Sequence, residues 1–178
     1  YNIYNLGSSK EPIGTPQLVV IDIFGLLKMA KQLTQESWSS EEVKKRRYAA
    51  LEIPTLITAI QEAYKILGVI SEKRKTPRKH VRLVIDSMSA FWADKPAMAR
   101  KYSYELKIAT HRENVTAYLT SQYAMTTGST FGFGLEHIAD GVIHLWMDNP
   151  EKVKEIRRYL IIKKMRMTNH VRHAFRLE

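Results

Sequence analysis

The sequence predicts an α/β fold, a mostly parallel sheet flanked by helices with antiparallel strands at its C-terminal end. Three observations carry that expectation. Across residues 17–120 the chain alternates strand, helix, strand, helix, strand, and such alternation builds parallel crossovers. Beyond residue 141 three further strand-like runs read as an antiparallel extension. The whole is 178 residues long, 44% apolar and 26% charged, enough for one soluble domain with a core of its own.

Each element has a local reason. Residues 1–16 contain Gly7, Ser8, Ser9, Pro12, Gly14 and Pro16 and form an irregular lead-in. Residues 17–23 (Gln-Leu-Val-Val-Ile-Asp-Ile) are nearly continuous and β-branched, the pattern of a buried strand. Ser39 followed by Glu42 is a capping box that opens a helix. Pro54 restarts the helical pattern in a favoured first-turn position. Leu56, Ile60, Ala63 and Leu67 then form one stripe, which Gly68 ends. A second strand, Val81–Ile85, terminates in Asp86. Asp94 and Pro96 open a helix in which Met98, Tyr102, Leu106 and Ala109 share a face. A third strand over residues 115–120 leads into a loop, 123–134, rich in Thr, Ser and Gly. Strands over 141–147, 159–164 and 172–177 complete the chain.

Lys and Arg number 28 against 18 Asp and Glu, a net charge of +10. Such a balance attracts polyanions: nucleic acid, nucleotide phosphates or an anionic surface. The excess is concentrated in the run from Lys73 to Arg82 and from Glu151 onward, where nine basic residues face three acidic ones. The absence of cysteine excludes a disulfide scaffold, thiolate zinc sites and a thiol nucleophile, and it fits a reducing, cytoplasmic compartment. No run approaches the ~18 apolar residues that a membrane-spanning helix requires.

Three places could carry chemistry. Asp86 follows an apolar strand, which puts its carboxylate at the sheet edge where open α/β sheets bind ligands. It can hold Mg²⁺ there, or equally cap its own turn in Asp-Ser-Met-Ser. Gln122, after a strand and before a flexible loop, can bond a phosphate or polarise a water, or be satisfied by nearby backbone. Lys164 and Arg166 share a face if both lie in a strand, and a phosphate between them would offset their repulsion. Lysine protection of an edge strand is the alternative. A nucleophile elbow, ligand spacing of histidines with carboxylates and the phosphate loop G-x-x-x-x-G-K-[ST] are all absent from the sequence, and His170 and His173, three apart, are weak evidence for zinc.

In this order, these pieces resemble a known family. Leu83-Val84-Ile85-Asp86-Ser87, Lys95-Pro96-Ala97-Met98-Ala99-Arg100 and Tyr118-Leu119-Thr120-Ser121-Gln122-Tyr123 carry the likeness. The run Phe131 to Gly141 (Phe-Gly-Phe-Gly-Leu-Glu-His-Ile-Ala-Asp-Gly) and Lys164-Met165-Arg166 with His170 complete it. Over residues 17–178 the chain is similar to the RecA/RadA/KaiC superfamily of ATPase cores, and most of all to archaeal single-domain KaiC-like proteins described as RadA paralogues.

The resemblance implies a RecA-type fold that binds ATP and Mg²⁺ between subunits of a homo-oligomer. Asp86 matches the Walker B carboxylate that holds the metal, with Ser87 beside it at the cofactor. Gln122 matches the γ-phosphate sensor. Lys164 and Arg166 match residues that reach the adjacent subunit's nucleotide, together with His170. The loop bearing Tyr123, Thr126, Thr127, Ser129 and Phe131 matches the DNA-facing loop of recombinases. The implied role is an ATP-dependent regulator of homologous recombination that binds single-stranded DNA, with a RadA-type recombinase as a partner. A KaiC-like signalling ATPase acting on proteins and a non-enzymatic nucleic-acid-binding module are the competing readings.

The chain is expected to be one RecA/KaiC-like core over residues 1–178, truncated at its N-terminus. The family's phosphate loop and the strand before it are expected upstream of residue 1. Residues 28–80 stand out as a helical insertion and basic linker within that core.

Overall fold

The computed structural model describes residues 2–8, 13–26, 28, 52–69, 80–92, 98–122, 135–148 and 156–177. The chain divides into two compact units, Tyr1–Phe131 and Gly132–Glu178. The capping box at Ser39 and Glu42, the helix opening at Asp94 and Pro96, and most of the basic run lie outside the described residues.

In the first unit, β1 (Ile3–Asn5) pairs in parallel with β2 (Leu18–Val20). β2 is shorter than the seven-residue strand expected over 17–23, and it is not buried: Leu18 and Val20 are exposed. The reason is Asp22. Its Oδ1 accepts the Gly25 N–H at 2.9 Å, which caps a helical turn over residues 23–26 and takes the chain out of the strand.

Helix α1 (Ile53–Ile66) starts where Pro54 can sit without losing a hydrogen bond. It buries Ile53, Leu56, Ala59, Ile60, Ala63 and Tyr64. Its end is a Schellman motif: Gly68 adopts φ 70°, its N–H donates to Lys65 O, and the Val69 N–H donates to Tyr64 O.

The next segment is a strand–helix–strand crossover. β3 (Val81–Ile85) pairs in parallel with β4 (Val115–Leu119), from Val81 opposite Val115 to Ile85 opposite Leu119. Between them run a short helix, α2 (Ser89–Trp92), and the longer α3 (Ala99–Thr110). α3 buries Ala99, Ser103, Leu106 and Thr110, a face rotated from the expected Met98, Tyr102, Leu106 and Ala109. Both hydroxyls on that face donate to carbonyls one turn back, Ser103 to Ala99 and Thr110 to Leu106, each at 2.7 Å, so their burial leaves no polar group unsatisfied. α1 and α3 meet through Tyr64, whose hydroxyl donates to the Thr110 carbonyl at 3.1 Å.

The second unit holds α4 (Leu135–Ile138) and an antiparallel sheet of β5 (Gly141–Met147), β6 (Arg158–Met165) and β7 (Phe175–Leu177), in that order. A bulge between Val142 and Ile143 shifts the β5–β6 register. Trp146 stacks on Tyr159 at 5.3 Å, and His144 lies 5.2 Å from the indole. The expected parallel strands with antiparallel C-terminal strands are therefore present, the parallel ones as two separate pairs among the described residues.

Candidate functional site

The first cluster forms where β3 and β4 end side by side. Val81-Arg82-Leu83-Val84-Ile85 extends and pairs, and the chain then leaves the sheet at Asp86, whose side chain is exposed. One strand away, Thr120 continues the ladder by donating its N–H to Ile85 O at 3.0 Å. Its hydroxyl donates to Asp86 Oδ1 at 2.5 Å, the short contact of a charge-assisted bond. The carboxylate therefore has a partner across the sheet, on the neighbouring strand's end. The Met88 N–H returns to Thr120 O at 2.8 Å, and the Gln122 N–H donates to Ser89 Oγ at 2.8 Å. The two post-strand turns are thus laced together, with Asp86 and Gln122 at the same end of neighbouring parallel strands. The Asp86–Ser87 peptide is cis.

Asp22, Phe24, Asp86, Ser87 and Phe91 line a groove of about 220 Å³ in this unit. Pockets that enclose drug-sized ligands run to roughly 300–1,000 Å³, so this groove is too small to enclose a nucleotide. The polar part of the lining suits part of one: the Asp22 and Asp86 carboxylates for a hard cation and the Ser87 hydroxyl for phosphate. Among the described residues no group of three or more His, Asp or Glu could hold a metal. A Mg²⁺ ion fits Asp86 as a single protein carboxylate, because this ion keeps several waters and takes its remaining oxygens from substrate phosphates.

The second cluster belongs to the C-terminal unit and is described by itself. Lys164 is half-buried in β6, while Arg166 lies beyond the strand end, in the turn where Met167 adopts φ 58°. Arg166 is thus not in the strand, and what unites the two cations is a shared partner. Lys164 Nζ donates to Glu136 O at 2.9 Å and His137 O at 3.4 Å. Arg166 donates to His137 O at 2.9 Å and pairs with Asp140 Oδ1 at 3.1 Å. His170 is half-buried, with its N–H held by Asn169 Oδ1 at 3.0 Å. His144, in the same unit, is held below the ordinary histidine range, first by burial and then by the Lys163 charge, against a smaller opposing pull from Glu136.

Tyr123, Thr126, Thr127, Ser129 and Phe131 lie outside the described residues. The sequence reading missed the roles of Thr120, Ser89 and Asp140. Thr120 stood within the quoted Thr-Ser-Gln segment, but its partner is 34 residues away and nothing local announces the bond.

The family model described as "ATPase: KaiC" matches residues 23–178. The chain belongs to the KaiC family of ATPases. The UPF0273 protein of Aeropyrum pernix is 34% identical over 142 residues, covering 77% of this chain and 52% of that protein. The Pyrococcus furiosus UPF0273 protein is 31% identical over 153 residues, 85% of this chain and 57% of its own. This KaiC-family chain therefore spans about half the length of the curated relatives it matches. In structure it is similar to a KaiC-like protein from Pyrococcus horikoshii OT3, known from a crystal structure, with a TM-score of 0.54 and 28% identity. That match covers 84% of this chain and 66% of the other, and it identifies the architecture as RecA/KaiC-type. Among the described residues of this KaiC-type chain, no helix is long and apolar enough to cross a membrane.

Proposed function

We propose that the chain forms part of an ATP-hydrolysing RecA-type protein that binds single-stranded DNA and regulates homologous recombination. The observation that carries this reading is that Asp86 and Gln122 follow the same ends of adjacent parallel strands, with Thr120 bonded to the Asp86 carboxylate. On this reading Asp86 holds Mg²⁺, Ser87 lies beside the cofactor, and Gln122 senses the γ-phosphate. When bound there, Mg²⁺ would supply positive charge against the phosphoryl oxygens. Lys164, Arg166 and His170 serve an ATP held by the adjacent subunit of a homo-oligomer.

The loop with Tyr123, Thr126, Thr127, Ser129 and Phe131 takes the DNA strand, and its two aromatic rings stack on bases. The net charge of +10 supports a polyanionic ligand. A RadA-type recombinase is the protein partner on this reading.

The test uses the full-length protein, with ATP hydrolysis and oligo(dT) binding measured at increasing NaCl. Hydrolysis should require Mg²⁺ and disappear in Asp86→Ala, and DNA affinity should fall steeply with salt. Full hydrolysis by Asp86→Ala would overturn the assignment of the metal site. Hydrolysis without any salt-sensitive DNA binding would move the function to signalling through protein partners.

A further inference from the structure

We propose that Asp140 is a positioning residue that orients Arg166, and Lys164 beside it, for phosphate. The inference rests on the ATPase reading above. It begins with how the segment 136–140 meets residues 164–166. The Arg166 N–H donates to Asp140 O at 2.8 Å, which docks the start of the turn after β6 against the end of α4. From that anchor Lys164 Nζ reaches Glu136 O and His137 O, while the two terminal nitrogens of Arg166 separately reach His137 O and Asp140 Oδ1. Both carbonyls belong to the one-turn helix α4, and cations are natural donors to acceptors near a helix C-terminus.

These bonds immobilise both cations without exhausting them. An ammonium has three donors and a guanidinium five, so each keeps at least one N–H for another acceptor. Asp140 supplies the one carboxylate among these acceptors, and it offsets the repulsion that would drive two adjacent cations apart. Held in this way, the side chains give up rotamer freedom before an anion arrives, which is the basis of preorganised charge stabilisation.

The ion pair itself contributes little to folding. The side chains are 47% exposed at Arg166 and 71% at Asp140, so solvent screens the attraction. A catalytic effect of Asp140 is therefore separable from a structural one.

The experiment compares wild type, Asp140→Ala, Asp140→Glu and Arg166→Ala in the full-length protein. Asp140→Ala keeps the backbone bond to Arg166, so its thermal midpoint should stay near that of wild type. Its kcat for ATP should fall about 10–100-fold with KM unchanged, the size of loss that follows misplacement of a reacting group. Asp140→Glu should restore much of that loss, and Arg166 side-chain ¹⁵N relaxation should report a looser guanidinium in Asp140→Ala. Wild-type kcat in Asp140→Ala, or a loss that tracks a lowered midpoint and is not rescued by Glu, overturns the positioning role alone. A wild-type protein that hydrolyses no ATP overturns the ATPase reading beneath it.

Discussion

Thr120 donates its hydroxyl to the Asp86 carboxylate at 2.5 Å, across the ends of two parallel strands whose last paired residues are Leu119 and Ile85. Because Thr120 is also fixed by backbone bonds to Ile85 and Met88, it can hold the carboxylate in one orientation.

The first expected outcome follows from that bond. Thr120→Val keeps the shape but removes the hydroxyl, so Asp86 loses a fixed partner while remaining in contact with water. The stability cost should be small, about 0.5–1.5 kcal/mol. Under the ATPase reading the Mg²⁺ concentration that half-saturates hydrolysis should rise several-fold. A Mg²⁺ titration that superimposes on wild type would show that the bond is structural only.

How much of this was legible beforehand differs by residue. β3 and α1 were visible because their signals are local: an unbroken apolar run, then Pro54 and Gly68 at the two ends of one stripe. β2 was read too long and as buried because residues 17–23 are nearly continuous and β-branched, whereas Asp22 caps a turn that follows the strand. The α3 face was misplaced because Ser103 and Thr110 are polar by composition but bond internally, which no hydropathy pattern records. In the candidate site, Asp86, Gln122, Lys164 and Arg166 could be singled out by residue type and order. Their partners Thr120, Ser89 and Asp140 could not, because those contacts join segments that are distant along the chain.

The core offers a direct stability measurement. Tyr64 is buried, its hydroxyl donates to Thr110 O, and burial pushes its phenol up, against a smaller downward pull from Arg112. It therefore remains a donor through the neutral range. Tyr64→Phe leaves that carbonyl without its donor and should destabilise the fold by about 1–3 kcal/mol. Urea denaturation reads this directly, and an unchanged midpoint would mean that water replaces the hydroxyl.

His144 sets the direction of a pH effect. Its folded-state value lies below the ordinary 6.5, so the folded chain resists a proton that the unfolded chain accepts. The contribution is fully present above about pH 6.5 and is lost as pH falls through the folded-state value. Thermal midpoints taken from pH 7.5 down to 5 should fall more steeply in wild type than in His144→Phe, which keeps a ring against Trp146. Parallel curves would assign the acid sensitivity to other groups.

The last outcome concerns the two cations. Lys164 and Arg166 are tied to their own chain through Glu136, His137 and Asp140, yet each retains donors, and no phosphate loop occurs within these 178 residues. If their target is a neighbour's ATP, loss of Arg166 should spare nucleotide binding and abolish hydrolysis. Charge stabilisation of a transferring phosphoryl group contributes on the order of 10³-fold or more in rate. Full-length Arg166→Ala subunits are therefore mixed with subunits defective in the nucleotide's own binding site, each inactive alone. A mixed interface that pairs an intact nucleotide site with an intact Arg166 should regain hydrolysis, in proportion to how often random assembly creates it. Co-assembly shown by size and crosslinking, with no recovered activity at any ratio, would place Arg166 in service of its own subunit.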